Sequence, residues 1–306
     1  MKIIVMGTGG VGGYFGARLA NAGYDVSFIA RGEHLKAIKN NGLKIISELG
    51  DMIIHPAKAS DNPADFEIAD IVLFCVKSYD TESSSNLIKP IVGQNTAVIP
   101  FLNGIGHIEI MQKILGKNPV IGGVAAISAL ISEPGVIQHN SAMQMLKFGE
   151  FNNIISPRIK AFQEACEKSG INNNIPENIE CDIWQKIIMI CTLAGANCIT
   201  RLPLGVCRTN PATRNFMKNL AEEAVEIAKA ENIILPDNQV EITMKQLDSL
   251  PEAMKASTLP ALEKGEKLEA SALNGAISIL GNKHEINTPA HKAVYAALSP
   301  HENGLN

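Results

Sequence analysis

A glycine-rich loop near the N-terminus constrains the fold of this chain more than any other feature of its sequence. Residues 2–6 (KIIVM) form a short apolar run, the loop GTGGVG follows directly, and a helical pattern begins within that loop. With this spacing, the first glycine allows a tight turn, the second lets the backbone approach a pyrophosphate, and the third permits close helix–strand contact. The diphosphate then lies at a helix N-terminus, where free N–H groups and the helix dipole favour anions. The sequence therefore predicts a dinucleotide-binding loop at Gly7, Thr8, Gly9, Gly10, Val11 and Gly12.

The elements that follow the loop favour this interpretation over a glycine-rich turn in another α/β fold. Short β-branched runs alternate with helical patterns, which is typical of a doubly wound parallel sheet. The predicted strands are residues 2–6, 25–29, 70–76, 97–101 and 119–127, and the predicted helices are residues 11–22, 33–41, 80–90 and 107–115. Residues 130–149 lack a helical period and are predicted to form a hairpin that extends the sheet.

From about residue 156 the pattern changes to long helical segments, and prolines between these segments mark helix boundaries. The predicted helices are residues 156–169, 180–200, 211–232, 237–248, 260–281 and 289–297. We therefore predict an α/β protein with two domains. A Rossmann-like, doubly wound N-terminal domain (residues 1–175) would bind the dinucleotide, and an all-helical C-terminal domain (residues 176–306) would bind the substrate and supply the catalytic residues.

Composition and charge narrow the class of protein further. The chain has 306 residues, of which 46% are hydrophobic and 19% charged, as in ordinary soluble globular proteins. A net charge of −4 without a Lys/Arg run predicts no nucleic-acid partner. Six cysteines without metal-like spacing predict no metal site and suit a reducing cytoplasm. We expect no membrane association, because the apolar runs are shorter than the ~18–20 residues that span a bilayer and no signal peptide is visible.

The end of the second predicted strand bears on which dinucleotide binds. An NAD site usually has an acidic residue there for the ribose 2′-OH, whereas an arginine accommodates the 2′-phosphate of NADP. This chain reads SFIARGEHL, with Arg31 at that point and Glu33 two residues later. The sequence therefore favours NADP(H) bound in part by Arg31, while Glu33 keeps NAD as an alternative.

A single lysine interrupts an otherwise apolar helical segment in the second half of the chain. Lys186 lies in WQKIIMICTLAG, and a buried ammonium is costly unless another group compensates its charge. From these residues alone, the simpler interpretation is a lysine whose stem covers apolar surface while its ammonium reaches water. The alternative is a lysine with a chemical role.

Several segments, in order along nearly the whole chain, resemble the ketopantoate reductases (2-dehydropantoate 2-reductases). The first runs from the glycine loop through the ARGEHLKAIKNNGL segment. The others are VKSYD, FLNGIG, PGVIQH, WQK, LEKGEKLEASALNG and TPAH. This resemblance implies an NADPH-dependent reductase of a small 2-oxo acid, with the active site in a cleft between the two domains.

The resemblance also implies roles for individual residues. Lys186 corresponds to the catalytic lysine, which donates a proton to the carbonyl oxygen of the substrate as hydride arrives from the nicotinamide. Asn103 corresponds to an asparagine beside nicotinamide and substrate. Lys77 and Glu269 correspond to cofactor contacts, Glu269 near the nicotinamide ribose, and Ser257 corresponds to a serine that holds the substrate carboxylate.

The chain departs from the family at polar positions expected to line the substrate site. Asparagines usually occur four and eight residues after the lysine and in the following loop, where this chain has Ile190, Ala194 and Leu204. Ala261 replaces an aspartate that often follows Ser257 by four residues. These candidate substrate-binding positions would favour a substrate with an apolar end, because a site built to hold a hydroxyl discriminates strongly for it. Asn197 and Asn274 are interpreted as structural.

Three functions follow from these observations. The first is reduction of ketopantoate to D-pantoate, for pantothenate and coenzyme A synthesis. The second is reduction of a more apolar, branched or aromatic 2-oxo acid, as in mandelate-type dehydrogenases of this family. The third, of a different class, is a catalytically weak NADPH-binding sensor, although such a protein would not need the proton donor. The expected assembly is a monomer or a homodimer in the cytoplasm.

Overall fold

The computed structural model describes residues 1–305, and its contacts divide them into two compact units. The N-terminal unit comprises Met1–Leu102 and His107–Ile179, and the helical unit comprises Asn103–Gly106 and Glu180–Asn306 as far as residue 305. The functions assigned to residues 1–175 and 176–306 stay predictions. The fold itself is confirmed, because a parallel-sheet Rossmann-like unit precedes a helical unit.

The N-terminal unit contains every strand of the described chain and five of its α-helices. The strands are β1 (Lys2–Met6), β2 (Asp25–Ile29), β3 (Leu43–Ser47), β4 (Met52–Ile54), β5 (Lys58–Ser60), β6 (Ala69–Phe74), β7 (Val92–Pro100), β8 (Gly122–Glu133), β9 (Val136–Gly149) and β10 (Asn173–Asn174). The helices are α1 (Gly10–Asn21), α2 (Gly32–Asn41), α3 (Thr81–Leu87), α4 (His107–Leu115) and α5 (Pro157–Lys168).

The first sheet is parallel and has the order β5–β2–β1–β6–β7. The chain winds outward from β1 through β2 to β5, and then continues on the other side of β1 with β6 and β7. The central strand is apolar because both of its faces are covered, and Ile3, Ile4, Val5 and Met6 are all buried. Such a reversal of strand order creates a crevice at the carboxyl ends of the strands, where ligands bind in open α/β sheets.

The predicted hairpin is present, but most of it belongs to a second sheet. β8 and β9 pair antiparallel, and β9 also pairs with β3 and β10, while β4 pairs with β3. Only the chain just before β8 extends the first sheet. There the Val98 amide donates to the Pro119 carbonyl (2.8 Å), and the Ile121 amide donates to the Val98 carbonyl (3.1 Å). The strands β3, β4 and β5 were not predicted, because β4 and β5 have only three residues each and β3 has alternating burial instead of the continuous buried run of β1.

The helical unit contains seven α-helices within its described residues. They are α6 (Ile179–Thr200), α7 (Leu204–Thr209), α8 (Pro211–Ala230), α9 (Gln239–Ser249), α10 (Thr258–Glu263), α11 (Asn274–Lys283) and α12 (Pro289–Leu298). Ile179, the first residue of α6, is grouped with the N-terminal unit.

The single helix predicted over residues 260–281 is wrong, because the chain turns after α10. Gly265 has φ +69°, its amide donates to the Leu262 carbonyl (3.2 Å), and the Glu266 amide donates to the Ala261 carbonyl (2.8 Å). This pair of bonds is a Schellman motif, which ends a helix at a glycine in the left-handed conformation.

Helix α6 has 22 residues and is long and apolar enough to cross a membrane by length and composition alone. The apolar run from which no membrane span was predicted is shorter than this helix. However, 67% of its most apolar window is buried inside the protein. This burial is that of a core helix.

A buried polar network holds α6 against other helices of its unit. The Asn274 amide donates to the Cys191 carbonyl and to Nδ1 of His291, at 3.1 Å in each case, and Nε2 of His291 donates to the Leu220 carbonyl (2.9 Å). Burial lowers the pKa of His291 to about 4, so this imidazole is neutral in the fold.

Asn197 accepts from the Ala256 amide and donates to the Leu202 carbonyl, at 2.8 Å each. Both asparagines thus have structural partners.

Candidate functional site

The sheet brings the predicted cofactor residues of the N-terminal unit to one edge. β1 leads into the glycine loop, β2 ends two residues before Arg31, and β6 ends three residues before Lys77. These strands are neighbours and run parallel, so the loop, Arg31 and Lys77 all follow carboxyl ends on the same side. The strand order reverses between β1 and β6, and ligands of open α/β sheets bind at the carboxyl ends of the strands beside such a reversal. This end of the sheet is therefore the predicted ligand site.

Two glycines of the loop show why side chains are excluded there. A Cβ at Gly12 would lie 2.3 Å from the Gly7 carbonyl oxygen and 2.8 Å from Cγ1 of Val5, so this glycine permits close contact between α1 and β1. A Cβ at Gly9 would meet no protein atom within 4 Å. Gly9 precedes α1, and no side chain caps the N-terminus of this helix. The open space and the uncapped helix end fit a diphosphate held by backbone N–H groups.

Hydrogen bonds of the amide, the side chain and the carbonyl of Thr8 anchor the loop. Its amide and its Oγ1 donate to the Ile29 carbonyl at 3.0 and 2.9 Å, and its carbonyl contacts Nε2 of His34 (2.8 Å). Sequence reasoning missed His34, although it lies in the ARGEHL segment that follows β2. The sequence did not indicate a role for this histidine, because its hydrogen-bond partners are known only from the fold.

Arg31 and Glu33 lie beside each other at the start of α2. Arg31 is exposed and extended (φ −134°, ψ 162°), and Glu33, in the first turn, forms an ion pair of 2.7 Å with Lys36. Since both members of that pair are exposed, it contributes little and does not remove Glu33 from a possible contact with a ribose. The preference for NADP stays a prediction.

Asn103 belongs to a short segment that packs within the helical unit. The Ile105 amide donates to the Ala272 carbonyl (3.1 Å), and a Cβ at Gly104, which has φ +99°, would lie 2.4 Å from that same carbonyl oxygen. Ala272 ends a 3₁₀ helix that directly follows Glu269. The fold therefore attaches the Asn103 segment to the segment that carries Glu269.

Lys186 lies in α6, and its titration is strongly perturbed. The residue keeps partial solvent exposure, yet burial lowers the pKa of its ammonium to about 8. The negative charge of Glu269 opposes this effect and raises the pKa of Lys186. The structure therefore brings Lys186 and Glu269 within electrostatic reach of each other, which their separation in sequence did not reveal.

The remaining predicted substrate residues differ in their accessibility. Ser257 is exposed at the start of α10 and makes no capping hydrogen bond. Ile190 is partly exposed, whereas Ala194 and Leu204 are 1% and 0% exposed and belong to one hydrophobic cluster. That cluster also contains Ala256, which directly precedes Ser257. In this structure only Ile190 and Ser257 of these four present a surface, and substrate contact by any of them stays a prediction.

No group of three or more His, Cys, Asp or Glu residues that could hold a metal ion occurs within residues 1–305. The cysteines are free, and burial raises the pKa of the Cys75, Cys166 and Cys191 thiols. Thiolates are therefore disfavoured at these three positions.

Two family models match the chain. The model described as "Ketopantoate reductase PanE/ApbA" matches residues 3–153, and "Ketopantoate reductase PanE/ApbA C terminal" matches residues 178–302. The chain is also 32% identical over 302 residues to the uncharacterized oxidoreductase YkpB of Bacillus subtilis, with 99% of each chain covered.

Solved structures are similar over the same length. A PanE/ApbA family ketopantoate reductase from Ralstonia eutropha has a TM-score of 0.90 and 28% identity, with 99% of this chain and 98% of that chain covered. D-mandelate dehydrogenase, solved with NADH and anilino(oxo)acetate, has a TM-score of 0.89 and 21% identity, with 99% and 98% covered. At that identity the second likeness shows the fold alone.

Proposed function

The chain belongs to the ketopantoate reductase family and is an oxidoreductase, and from this premise we propose that it reduces ketopantoate to D-pantoate with NADPH. The observation that carries the proposal is the perturbed pKa of Lys186. Burial lowers this pKa to about 8, and the negative charge of Glu269 opposes the decrease. A general acid works best when its pKa lies near the operating pH, since it is then largely protonated and still transfers its proton readily.

The proposed reaction joins one hydride and one proton to a ketone. NADPH, when bound, would supply the hydride for the new C–H bond at the carbonyl carbon. Lys186 donates its ammonium proton to the carbonyl oxygen as negative charge develops there, and its positive charge stabilises that oxygen before transfer. The neutral amine left on Lys186 then takes a proton from solvent.

Other residues of the chain bind and orient the reactants in this proposal. Backbone N–H groups at the start of α1 would hold the diphosphate, and Arg31 would pair with the 2′-phosphate. Lys77 and Glu269 would contact the cofactor, and the negative charge of Glu269 also raises the pKa of Lys186. The exposed hydroxyl of Ser257 would donate to the substrate carboxylate, and the Asn103 amide would bind beside substrate and nicotinamide.

A second candidate reaction is favoured by one observation, the partly exposed apolar side chain of Ile190, since Ala194 and Leu204 are buried in one hydrophobic cluster. At this position the resemblance implies an amide that would hold the terminal hydroxyl of ketopantoate, whereas Ile190 has no hydrogen-bonding group. A site without a partner for that hydroxyl loses the strong discrimination such a bond provides. The alternative substrate is a branched or aromatic 2-oxo acid, with Ile190 contacting its apolar end.

The test is oxidation of NADPH by the purified protein, followed by nicotinamide absorbance, with ketopantoate, 2-oxoisovalerate and phenylglyoxylate compared at equal concentrations. The highest kcat/KM with ketopantoate supports the first reaction. Higher kcat/KM with either other acid replaces it by the second. Tight NADPH binding without turnover of any 2-oxo acid would contradict both reactions and favour a binding protein that senses the cofactor.

A further inference from the structure

His34 makes two hydrogen bonds that fix its protonation state. Its Nδ1 accepts from the Gly135 amide at 3.0 Å, and its Nε2 lies 2.8 Å from the Thr8 carbonyl oxygen. A backbone N–H can only donate, so Nδ1 carries the lone pair and Nε2 carries the hydrogen that it donates to Thr8. Burial also lowers the pKa of His34, which favours this neutral form.

These bonds connect three elements around the glycine loop. His34 lies in the first turn of α2, Thr8 lies in the loop after β1, and Gly135 (φ +82°) lies in the turn between β8 and β9. The hairpin already passes close to the loop, because a Cβ at Gly10 would lie 2.1 Å from the Ala129 carbonyl oxygen. His34 thus holds the loop and the hairpin turn to the same helix.

The bond to Thr8 determines where one N–H group of the loop points. The Thr8 carbonyl and the Gly9 N–H belong to one planar trans peptide, so they point in opposite directions. With the carbonyl held by His34, the Gly9 N–H must point away from α2. It has no hydrogen-bond partner among residues 1–305, and the space beside the Gly9 Cα is open. An unpaired N–H beside this open space, at a helix N-terminus that no side chain caps, is suited to an anion.

We propose that His34 is a positioning residue for the dinucleotide, which orients the Thr8–Gly9 peptide so that the Gly9 N–H faces the diphosphate. This inference rests on the proposed dinucleotide site. His34 does not touch the cofactor in this role. Its contribution is to hold the peptide in the binding orientation before the ligand arrives, which reduces the ordering cost of binding.

Two amide substitutions separate the two hydrogen bonds. In His34→Gln the side-chain amide nitrogen reaches the place of Nε2 and retains the donor to Thr8. In His34→Asn the shorter side chain places its oxygen near Nδ1 and retains only the acceptor for Gly135. His34→Ala removes both, and Asn40→Ala, at an exposed position of the same helix, is the matched control.

The measurement is the Kd of NADPH and of NADH by nicotinamide fluorescence, together with the urea midpoint of each variant. One net hydrogen bond corresponds to a change of about three- to tenfold in Kd. We expect Kd to rise by about that factor in His34→Asn and at least as much in His34→Ala, while His34→Gln and Asn40→Ala bind like the parent. The urea midpoints of His34→Gln and His34→Asn should agree.

The outcomes distinguish this inference from the proposed function. If the parent binds a dinucleotide and His34→Asn binds it equally well, the positioning role is wrong and the proposed function stands. The role is also wrong if His34→Gln binds as weakly as His34→Ala. A parent that binds neither NADPH nor NADH overturns the dinucleotide site and the positioning role together.

Discussion

The glycine loop and the Lys186 segment of α6 support their proposed roles by opposite means. In the loop the backbone is the functional part, because Gly9 and Gly12 carry no side chain. The missing Cβ leaves open space at Gly9 and allows close packing at Gly12. In α6 one side chain acts, and what matters is its surroundings, since burial and Glu269 together set the pKa of Lys186. A binding site formed by backbone groups is therefore recognisable from the local spacing of residues. A site that depends on the burial and charge around one side chain is not, because the groups responsible lie far away in sequence.

The largest expected effect is that of removing the Lys186 ammonium. Lys186→Ala should lower kcat by about 10²–10⁴-fold, the usual contribution of a positioned general acid, and leave the Kd of NADPH unchanged. Alanine is a strong helix former, so α6 should persist. The measurement is steady-state kcat with the best 2-oxo acid, beside cofactor titration. Lys218→Ala, which removes an exposed lysine of α8, is the control. A kcat within threefold of the parent would show that Lys186 is not the proton donor.

Alanine at two loop glycines should separate folding from binding. At Gly12 the new Cβ would meet the Gly7 carbonyl oxygen and Val5, and such overpacking costs about 1–3 kcal/mol in the free energy of unfolding. At Gly9 it would meet only open space, so stability should change by less than about 0.5 kcal/mol. Gly9→Ala should nonetheless weaken NADPH binding about tenfold, because the methyl group occupies the space of the diphosphate. Urea unfolding and cofactor titration of both variants measure these effects. Unchanged NADPH affinity in Gly9→Ala would place the dinucleotide elsewhere.

The pH dependence of turnover should report the environment of Lys186. Since only the protonated lysine donates, kcat should be constant below pH 8 and fall about tenfold per unit above it. Glu269 raises this pKa, so Glu269→Gln should move the decline to lower pH. The experiment is kcat at saturating substrate and cofactor on both sides of pH 8. A flat profile well above that pH, or a decline that moves upward in Glu269→Gln, would contradict the assignment.

The smallest expected effect is at Arg31, where an exposed side chain meets a single phosphate. Arg31→Ala should raise the Kd of NADPH by about tenfold or less and leave the Kd of NADH unchanged, because only NADP carries the 2′-phosphate. Glu33→Ala is the matched comparison and should affect NADH rather than NADPH. Titration of both variants with both dinucleotides decides the matter. If NADPH is still preferred to the same degree in Arg31→Ala, the 2′-phosphate is bound by another residue.

Elements with a strong local pattern were predicted well. β1, β2 and α4 have the predicted bounds, and other helices of the α/β region lie within a few residues of theirs. The prediction failed where burial was partial or where one glycine changed the chain direction. β4 and β5 have three residues each, β3 is buried at alternate residues only, and Gly265 ends α10 inside a segment whose apolar pattern continues beyond it.

What the sequence by itself determined is the dinucleotide loop and the alternation that makes a parallel sheet around it, because both depend on contacts between near neighbours. The family followed from motifs in order along the chain. Only the tertiary structure decided that Glu269 acts on Lys186, that Ala194 and Leu204 are buried in one hydrophobic cluster, and that His34 holds Thr8 and Gly135 together. Burial, charge–charge interaction and hydrogen bonding depend on distances in space, and folding makes these distances short between residues that are far apart in sequence.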